Sequence, residues 1–141
     1  MSVLAIANQK GGVAKTTTTI CLGGLLTATG ATLALDLDPQ GNLTTGLGVE
    51  IADNQPTAYE VITERTRLSE AIVGTKSGLD LIPADINLAK GEPEILAKVG
   101  NFYLLRDALE DVKGQYGQVP IDCPPAWGYS RSTPSARRMW Y

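Results

Sequence analysis

The chain of 141 residues contains no histidine, and this absence excludes several kinds of active site. Serine–histidine catalysis, cysteine–histidine catalysis and histidine-ligated zinc all require that residue. Only Cys21 and Cys123 are present, which gives neither a disulfide framework nor a cysteine metal cluster, and we expect both to be buried packing residues. Any chemistry must therefore use aspartate, glutamate, lysine or a metal ion.

Long apolar runs and a secretory leader are also missing. No apolar run reaches the roughly 20 residues of a bilayer-crossing helix. The N-terminus has no basic segment followed by a small-residue cleavage site. With 43% hydrophobic and 19% charged residues, the composition is typical of a folded domain and not of a disordered chain. We therefore expect one soluble, cytoplasmic domain without membrane contact.

Acidic residues are absent from the end of the chain. All 15 lie at or before Asp122, and an acidic body offers no electrostatic footprint for DNA. Residues 126–141 hold both tryptophans and three arginines without helical or strand periodicity. We interpret them as a divergent tail produced by a frameshift or a premature end. The alternative is a short arm for DNA or a partner, although three arginines rarely suffice for DNA affinity at physiological salt.

What the sequence does contain is a loop suited to phosphate binding at residues 10–17, Lys-Gly-Gly-Val-Ala-Lys-Thr-Thr. The apolar run at 3–7 before it predicts a central parallel strand covered on both faces, and a helix is predicted over 16–29. Adjacent glycines let backbone N–H groups approach an anion, a lysine can reach outer phosphates, and the next hydroxyl can ligate magnesium. The alternative is a glycine-rich turn with solvated lysines.

A second buried strand, predicted over 31–37, brings Asp36 and Asp38 to its carboxyl end before a turn at 39–42. Gly23 and Gly24 would let the intervening helix pack closely on the sheet. Ligands of open parallel sheets bind outside the carboxyl ends of the strands, so the loop and this aspartate pair should meet. We expect the two aspartates to send one side chain to each face of the strand, so that only one of them need be functional. A solvated strand end with helix capping is the alternative.

The rest of the chain predicts more helices and strands in alternation. Residues 44–54 are expected to be irregular, and residues 66–73 are ambiguous. One helix is expected over 57–63 with Thr57 as its cap, and another over 101–113. A third helix should begin after Asp85, with an interruption at Gly91 and Pro93. Strands are expected over 79–83 and 118–122. This pattern predicts an α/β fold, a mostly parallel sheet with helices on both faces.

Three separated stretches, residues 9–17, 36–42 and 121–125, together resemble the ParA family of partition ATPases. This family lies in the deviant Walker-A class, which also includes MinD-like and nitrogenase iron-protein-like ATPases. The run Asp-Pro-Gln-Gly-Asn favours the ParA branch, because the cluster-ligating cysteines of the iron-protein branch are absent. The resemblance covers residues 1–125 and implies a partial nucleotide-binding domain, the N-terminal half of a P-loop NTPase fold, with ATP and Mg²⁺ as ligands.

The resemblance also implies roles for individual residues. The nucleotide-binding set is Lys10, Gly11, Gly12, Val13, Ala14, Lys15, Thr16 and Thr17. Thr16 would hold Mg²⁺ directly and Asp122 would support the ion, usually through water. The implied catalytic residues are Lys10, which would reach the partner's ATP across a homodimer, and Asp38, which would position the attacking water.

Members of this family use ATP-dependent dimerisation and nonspecific DNA binding to move plasmids, chromosomes or other cargo on the nucleoid, with a ParB-like activator. Two features depart from the family pattern. Pro120 interrupts an aliphatic run and removes a ladder N–H, and the divergent tail replaces the part that normally carries the basic DNA-binding residues. We therefore expect weak nucleotide binding with little or no hydrolysis. The alternative is a non-catalytic fragment or interaction module that keeps only the fold.

Overall fold

The computed structural model describes residues 1–8, 10, 12–97 and 103–124. Five strands form one sheet: β1 (Ser2–Ile6), β2 (Leu33–Asp36), β3 (Val73–Gly74), β4 (Asp80–Ile82) and β5 (Gln118–Asp122). Their order across the sheet is β1-β5-β2-β4-β3. All neighbouring strands are parallel except β3, which is antiparallel to β4. The predicted mostly parallel sheet is confirmed.

Helices cover both faces of this sheet, as predicted. They are α1 (Lys15–Thr27), α2 (Asn42–Gly46), α3 (Ala58–Ile62), α4 (Asn87–Ala97) and α5 (Leu104–Glu110), with a 3-10 turn at Leu68–Glu70. Side chains of β2 alternate between two cores, because successive residues of a strand point to opposite faces. Leu33 and Leu35 belong to the larger core with α3, α4 and α5, whereas Ala34 packs in a smaller core with α1 and α2.

Strand β5 forms over the predicted residues 118–122 despite Pro120. It lies between β1 and β2, and its register with β1 is continuous. Its pairing with β2 is interrupted: a bridge joins Thr32 to Gln118, and the ladder resumes only at Leu35 and Ile121. The gap lies opposite Pro120, because proline has no N–H to donate to a neighbouring strand. The proline therefore interrupts the β2–β5 ladder over two residue pairs and leaves the strand in place.

The prediction that residues 3–7 form a central strand covered on both faces is wrong. β1 lies at the edge of the sheet formed by the described residues, and Val3 and Leu4 are 38% and 37% exposed. An apolar run shows that a strand can be covered, not that a neighbour is present to cover it. Cys21 was expected to be buried and is exposed on α1, whereas Cys123 is buried as expected.

Two further helix predictions need correction. Helix α4 is continuous through Gly91 and Pro93, where an interruption was expected. Tertiary contacts lie on both sides of the proline: the Tyr59 ring lies against Gly91, and Glu94 pairs with Arg65 at 3.0 Å. Residues 44–46, at the start of the region expected to be irregular, belong to the short helix α2, which begins at Asn42 in the predicted turn.

The remaining element predictions are confirmed within a few residues. Thr57 caps α3 in a capping box with Glu60, as predicted. The Asp85 carboxylate accepts a hydrogen bond from the Asn87 amide at the start of α4. The ambiguous residues 66–73 contain the 3-10 turn and lead into β3, and helix α5 is shorter than the predicted 101–113, of which 101–102 lie outside the described residues.

Candidate functional site

The loop between β1 and α1 has the backbone conformation of an anion-binding turn. Gly12 and Ala14 have positive φ angles of 69° and 57°. Alternating left-handed residues turn successive N–H groups toward one concave side, and such nests bind anions. Ala14 is the N-cap of α1 and has no side-chain acceptor for the first-turn N–H groups. The positive end of the helix dipole and these donors are therefore open to a ligand.

The described residues of the loop lie between β1 and α1. Lys15 opens α1 and is half-buried, while Val13 and Thr17 are exposed. The backbone N–H of Lys10 donates to the Asn8 side chain at 3.1 Å, so Asn8 orients the start of the loop. Gly11 lies outside the described residues.

Thr16 and Asp122 meet although 106 positions separate them in the chain. The Thr16 hydroxyl donates to Asp122 Oδ2 at 2.6 Å. The parallel register that pairs Ile6 with Asp122 places this carboxylate beside the end of β1, from which the loop departs. Asp122 is only 1% exposed, and its other oxygen, Oδ1, is buried without a hydrogen-bond partner in the described residues.

The electrostatic surroundings of Asp122 connect four of the predicted site residues. Burial raises the pKa of Asp122, and the negative charge of Asp38 acts in the same direction. The hydrogen bond from Thr16 and the positive charge of Lys15 oppose this rise. Thr16, Lys15 and Asp38 are therefore close enough to Asp122 to affect its proton affinity.

The residues present fit a magnesium ion. Mg²⁺ is a hard cation that takes oxygen ligands and is commonly held by one or two carboxylates together with phosphate oxygens and waters. A threonine hydroxyl and a buried carboxylate with one unpaired oxygen provide such ligands. The described residues contain no group of three or more histidine, cysteine or acidic side chains suited to holding a metal alone. An ion here would need further oxygen ligands, from water molecules or from a bound anion.

The expectation that Asp36 and Asp38 point to opposite faces of a strand is wrong, because residues two apart in a strand share a face. Their surroundings differ because β2 ends at Asp36 and Asp38 lies in the turn that follows. Asp36 is fully buried and accepts hydrogen bonds from the amide and the hydroxyl of Thr44 at 2.9 and 2.7 Å. Burial raises the pKa of Asp36 to about 6, against the lowering effect of those bonds. Asp38 is half-buried, and its carboxylate accepts from the Gln40 amide at 3.0 Å. Asp38 is therefore the aspartate available to a ligand.

Sequence reasoning missed two residues that shape this site. Asn8 was not singled out, yet its side chain accepts a hydrogen bond from the Lys10 amide. Thr44 was placed in an irregular region, yet it carries the main hydrogen bonds of Asp36. No spacing rule relates Thr44 to Asp36, because their contact depends on where α2 lies on the sheet.

An open groove of about 430 Å³ lies elsewhere, between the 64–70 segment and α5. Its ionic groups are already engaged with one another: Arg67 pairs with Asp111, which also accepts from the Ser69 amide at 2.9 Å. These bonds lower the pKa of Asp111 to about 2, with the Ser69 hydroxyl contributing most. The groove has none of the phosphate-binding features of the loop.

Across the described residues, none of the helices combines the length and apolar content needed to cross a bilayer.

Comparison with known proteins gives consistent matches. Residues 1–133 match the family model described as an AAA domain. The chain is 48% identical over 130 residues to chromosome partitioning protein ParA of Caulobacter vibrioides, covering 89% of this chain and 49% of that protein. It is 44% identical over 128 residues to sporulation initiation inhibitor protein Soj of Bacillus subtilis, covering 89% and 51% respectively. The chain thus spans about half the length of the curated relatives it matches.

A solved structure agrees in fold. Cobyrinic acid a,c-diamide synthase from Mycobacterium smegmatis, with a bound ATP analog and magnesium, superimposes with a TM-score of 0.87 at 41% identity. The match covers 99% of this chain and 55% of that chain.

Proposed function

Because this chain belongs to the AAA domain family, in its ParA branch, we propose that it binds Mg-ATP through the loop at residues 10–17. The observation that carries the proposal is the contact between Thr16 and Asp122, which leaves one buried carboxylate oxygen without a partner. An unpaired buried carboxylate oxygen is costly, and a cation held between these two side chains would remove that cost. A similar structure is solved with an ATP analog and magnesium.

Each predicted residue has a part in this proposal. The loop from Lys10 to Thr17 would surround the phosphates with backbone N–H groups and the lysine charges. Thr16 would hold magnesium and Asp122 would support it; the ion neutralises charge on the phosphates when bound. Asp38 would orient a water molecule for attack on the terminal phosphate. Lys10 would act on the nucleotide of a second copy of the chain.

The proposal separates binding from turnover. The relatives are about twice as long as this chain, so their complete activity does not follow from the half that is shared. We expect weak nucleotide binding with little or no hydrolysis by this polypeptide. The alternative, a fragment or interaction module that retains only the fold, requires that the loop lysine be irrelevant to nucleotide affinity.

Family membership also supports a wider setting for the chain. Its named relatives include a chromosome partitioning protein, which suggests work on DNA segregation or cargo positioning in the cytoplasm at the nucleoid. We infer a homodimer as the competent form, with a ParB-like activator and nonspecific DNA as partners of the complete system.

Isothermal titration with Mg-ATP tests the binding proposal. Wild type should show saturable binding, and Lys15→Ala should weaken it by about tenfold or more, which corresponds to roughly 1.4 kcal/mol. The control is Lys76→Ala, which removes the same charge from an exposed loop residue far from the site in sequence. Absence of saturable binding by wild type would overturn the proposal. Equal affinity of wild type and Lys15→Ala would favour the fragment alternative.

A further inference from the structure

A buried hydrogen-bond network connects three segments beside the candidate site. The Thr44 hydroxyl donates to Asp36 Oδ2 at 2.7 Å and accepts from the Ala84 amide at 3.0 Å. The Thr44 amide donates to the same carboxylate oxygen at 2.9 Å. All three residues are buried, so water does not compete for these bonds. One hydroxyl thus joins the end of β2, the helix α2 and the segment that follows β4.

The same network fixes the turn that carries Asp38. The Asp38 amide donates to the other carboxylate oxygen of Asp36, Oδ1, at 3.1 Å. The Gly41 amide donates to the Asp38 carbonyl at 2.9 Å. Gly41 has a φ of 63°, and a Cβ added there would lie 2.8 Å from the Ala84 carbonyl oxygen. Residue 84 therefore contacts the turn directly at Gly41 and indirectly through Thr44.

The network is also continuous with the loop. β2 and β5 are paired at Asp36 and Asp122, and the Leu37 amide donates to the Asp122 carbonyl at 3.0 Å. The Asp122 side chain in turn accepts from Thr16. The ends of β2 and β5 therefore connect the residues that would hold the nucleotide to the Asp36 carboxylate, which is bound by Thr44.

We propose that Thr44 is a positioning residue that ties the Asp38 turn to Ala84, so that nucleotide bound at the loop changes the surroundings of the Ala84 amide. This inference rests on the proposed function, because its signal is nucleotide-dependent. In this proposal Thr44 does more than join β2 to α2. A local contact would stabilise the fold without making the amide of Ala84 respond to a ligand bound at Thr16 and Asp122.

Amide NMR spectra of the full chain, recorded during titration with Mg-ATP, distinguish these roles. Three substitutions are compared with wild type. Thr44→Val keeps the shape of the side chain and removes the hydroxyl, whereas Thr44→Ser keeps the hydroxyl. Thr32→Val is the matched control. Thr32 is also buried, just before β2, and its hydroxyl donates to the Gly30 carbonyl and to no other group in the described part of the chain.

In wild type, Thr44→Ser and Thr32→Val, we expect the amide signals of Thr16, Asp38 and Ala84 to shift together as Mg-ATP is added. In Thr44→Val, the Thr16 signal should still report binding with an affinity within about threefold of wild type. The response of Ala84 should fall to less than about half, because its acceptor is gone.

Two results would overturn the inference while leaving nucleotide binding intact. One is a wild-type Ala84 signal that does not move while Thr16 responds. The other is a Thr44→Val protein whose Ala84 signal responds as in wild type. If no loop amide of wild type responds to Mg-ATP, the proposed function fails and this inference fails with it.

Discussion

At the scale of single residues, the buried aspartates Asp36 and Asp122 lie at the ends of neighbouring strands but differ in their hydrogen bonds. Asp36 is surrounded by protein donors, and all of its described hydrogen bonds come from the next eight residues of the chain. Asp122 has one oxygen bound to Thr16 and one unpaired. A carboxylate whose hydrogen bonds are all made within the protein has a structural role, whereas one with an unpaired oxygen can still bind a ligand.

Asp36 makes the stability of the chain depend on pH. Its pKa is about 6 in the folded protein against an ordinary value of 3.8, so the folded state holds this proton more tightly than the unfolded chain. The resulting stabilisation is fully present below about pH 4 and is lost as the pH rises toward 6, a fall of up to about 3 kcal/mol. Asp36→Asn should flatten this fall, measured as the free energy of unfolding in urea between pH 4 and 7.

The control for this measurement is Asp53→Asn, which removes an exposed carboxylate and should leave the wild-type slope unchanged. Some slope should remain in Asp36→Asn, because burial also raises the pKa of Asp122. A variant that keeps the complete wild-type slope would show that Asp36 is not the group that titrates.

At the scale of helices and strands, two adjacent glycines of α1 have opposite surroundings. A Cβ added at Gly23 would lie 2.7 Å from a methyl group of the buried Leu79, whereas one added at Gly24 would meet nothing within 4 Å. The sequence suggested close packing at both positions, and the structure bears this out only for Gly23. The two glycines thus lie on the same helix and have the same low helix propensity, but only Gly23 packs against the sheet.

Alanine substitution at these positions should therefore have opposite effects. Gly24→Ala should raise the free energy of unfolding by up to about 1 kcal/mol, because alanine is the better helix former. Gly23→Ala gains the same propensity but forces Leu79 to move, and overpacking of a core costs about 1 to 3 kcal/mol. We expect a net loss of stability, measured by urea denaturation. Stabilisation by both substitutions would show that the core around Leu79 yields easily.

The elements that the sequence predicted well are those whose signals are local. Thr57 with Glu60 marks a helix start within four residues, and the loop at 10–17 marks a strand-to-helix turn. The elements it missed depend on distant partners. Helix α4 continues past Pro93, and the residues that contact it on both sides of the proline, Tyr59 and Arg65, lie on another helix and its following loop. Thr44 escaped notice for the same reason.

At the scale of the whole molecule, β1 is an edge strand of the sheet that the described residues form, and its own sequence lacks the usual protection against pairing. Even-numbered residues of β1 pair with β5, since the Ser2 amide donates to Gly117 and the Cys123 amide donates to Ile6. The backbone groups of Val3 and Ala5 therefore face outward, where no strand of the described residues pairs with them. The strand carries no charge and no proline, the devices that usually prevent edge-to-edge association.

We therefore expect the wild-type chain to self-associate as its concentration rises, and Val3→Lys to suppress this. A lysine puts a charge on the edge, and its effect on the free energy of unfolding should stay within about 0.5 kcal/mol because the position is partly exposed. Sedimentation velocity over a range of concentrations measures the association, with nucleotide omitted so that a nucleotide-dependent dimer does not contribute.

Leu25→Lys is the control that distinguishes strand pairing from association through exposed apolar side chains. Leu25 is 72% exposed, more than either Val3 or Leu4, but it lies on α1 and offers no unpaired backbone edge. If association proceeds through the edge, Leu25→Lys should associate as wild type does while Val3→Lys stays monomeric. Equal suppression by both lysines would assign the association to apolar surface instead. A wild-type chain that remains monomeric at every concentration would mean that the backbone groups of Val3 and Ala5 are covered in solution.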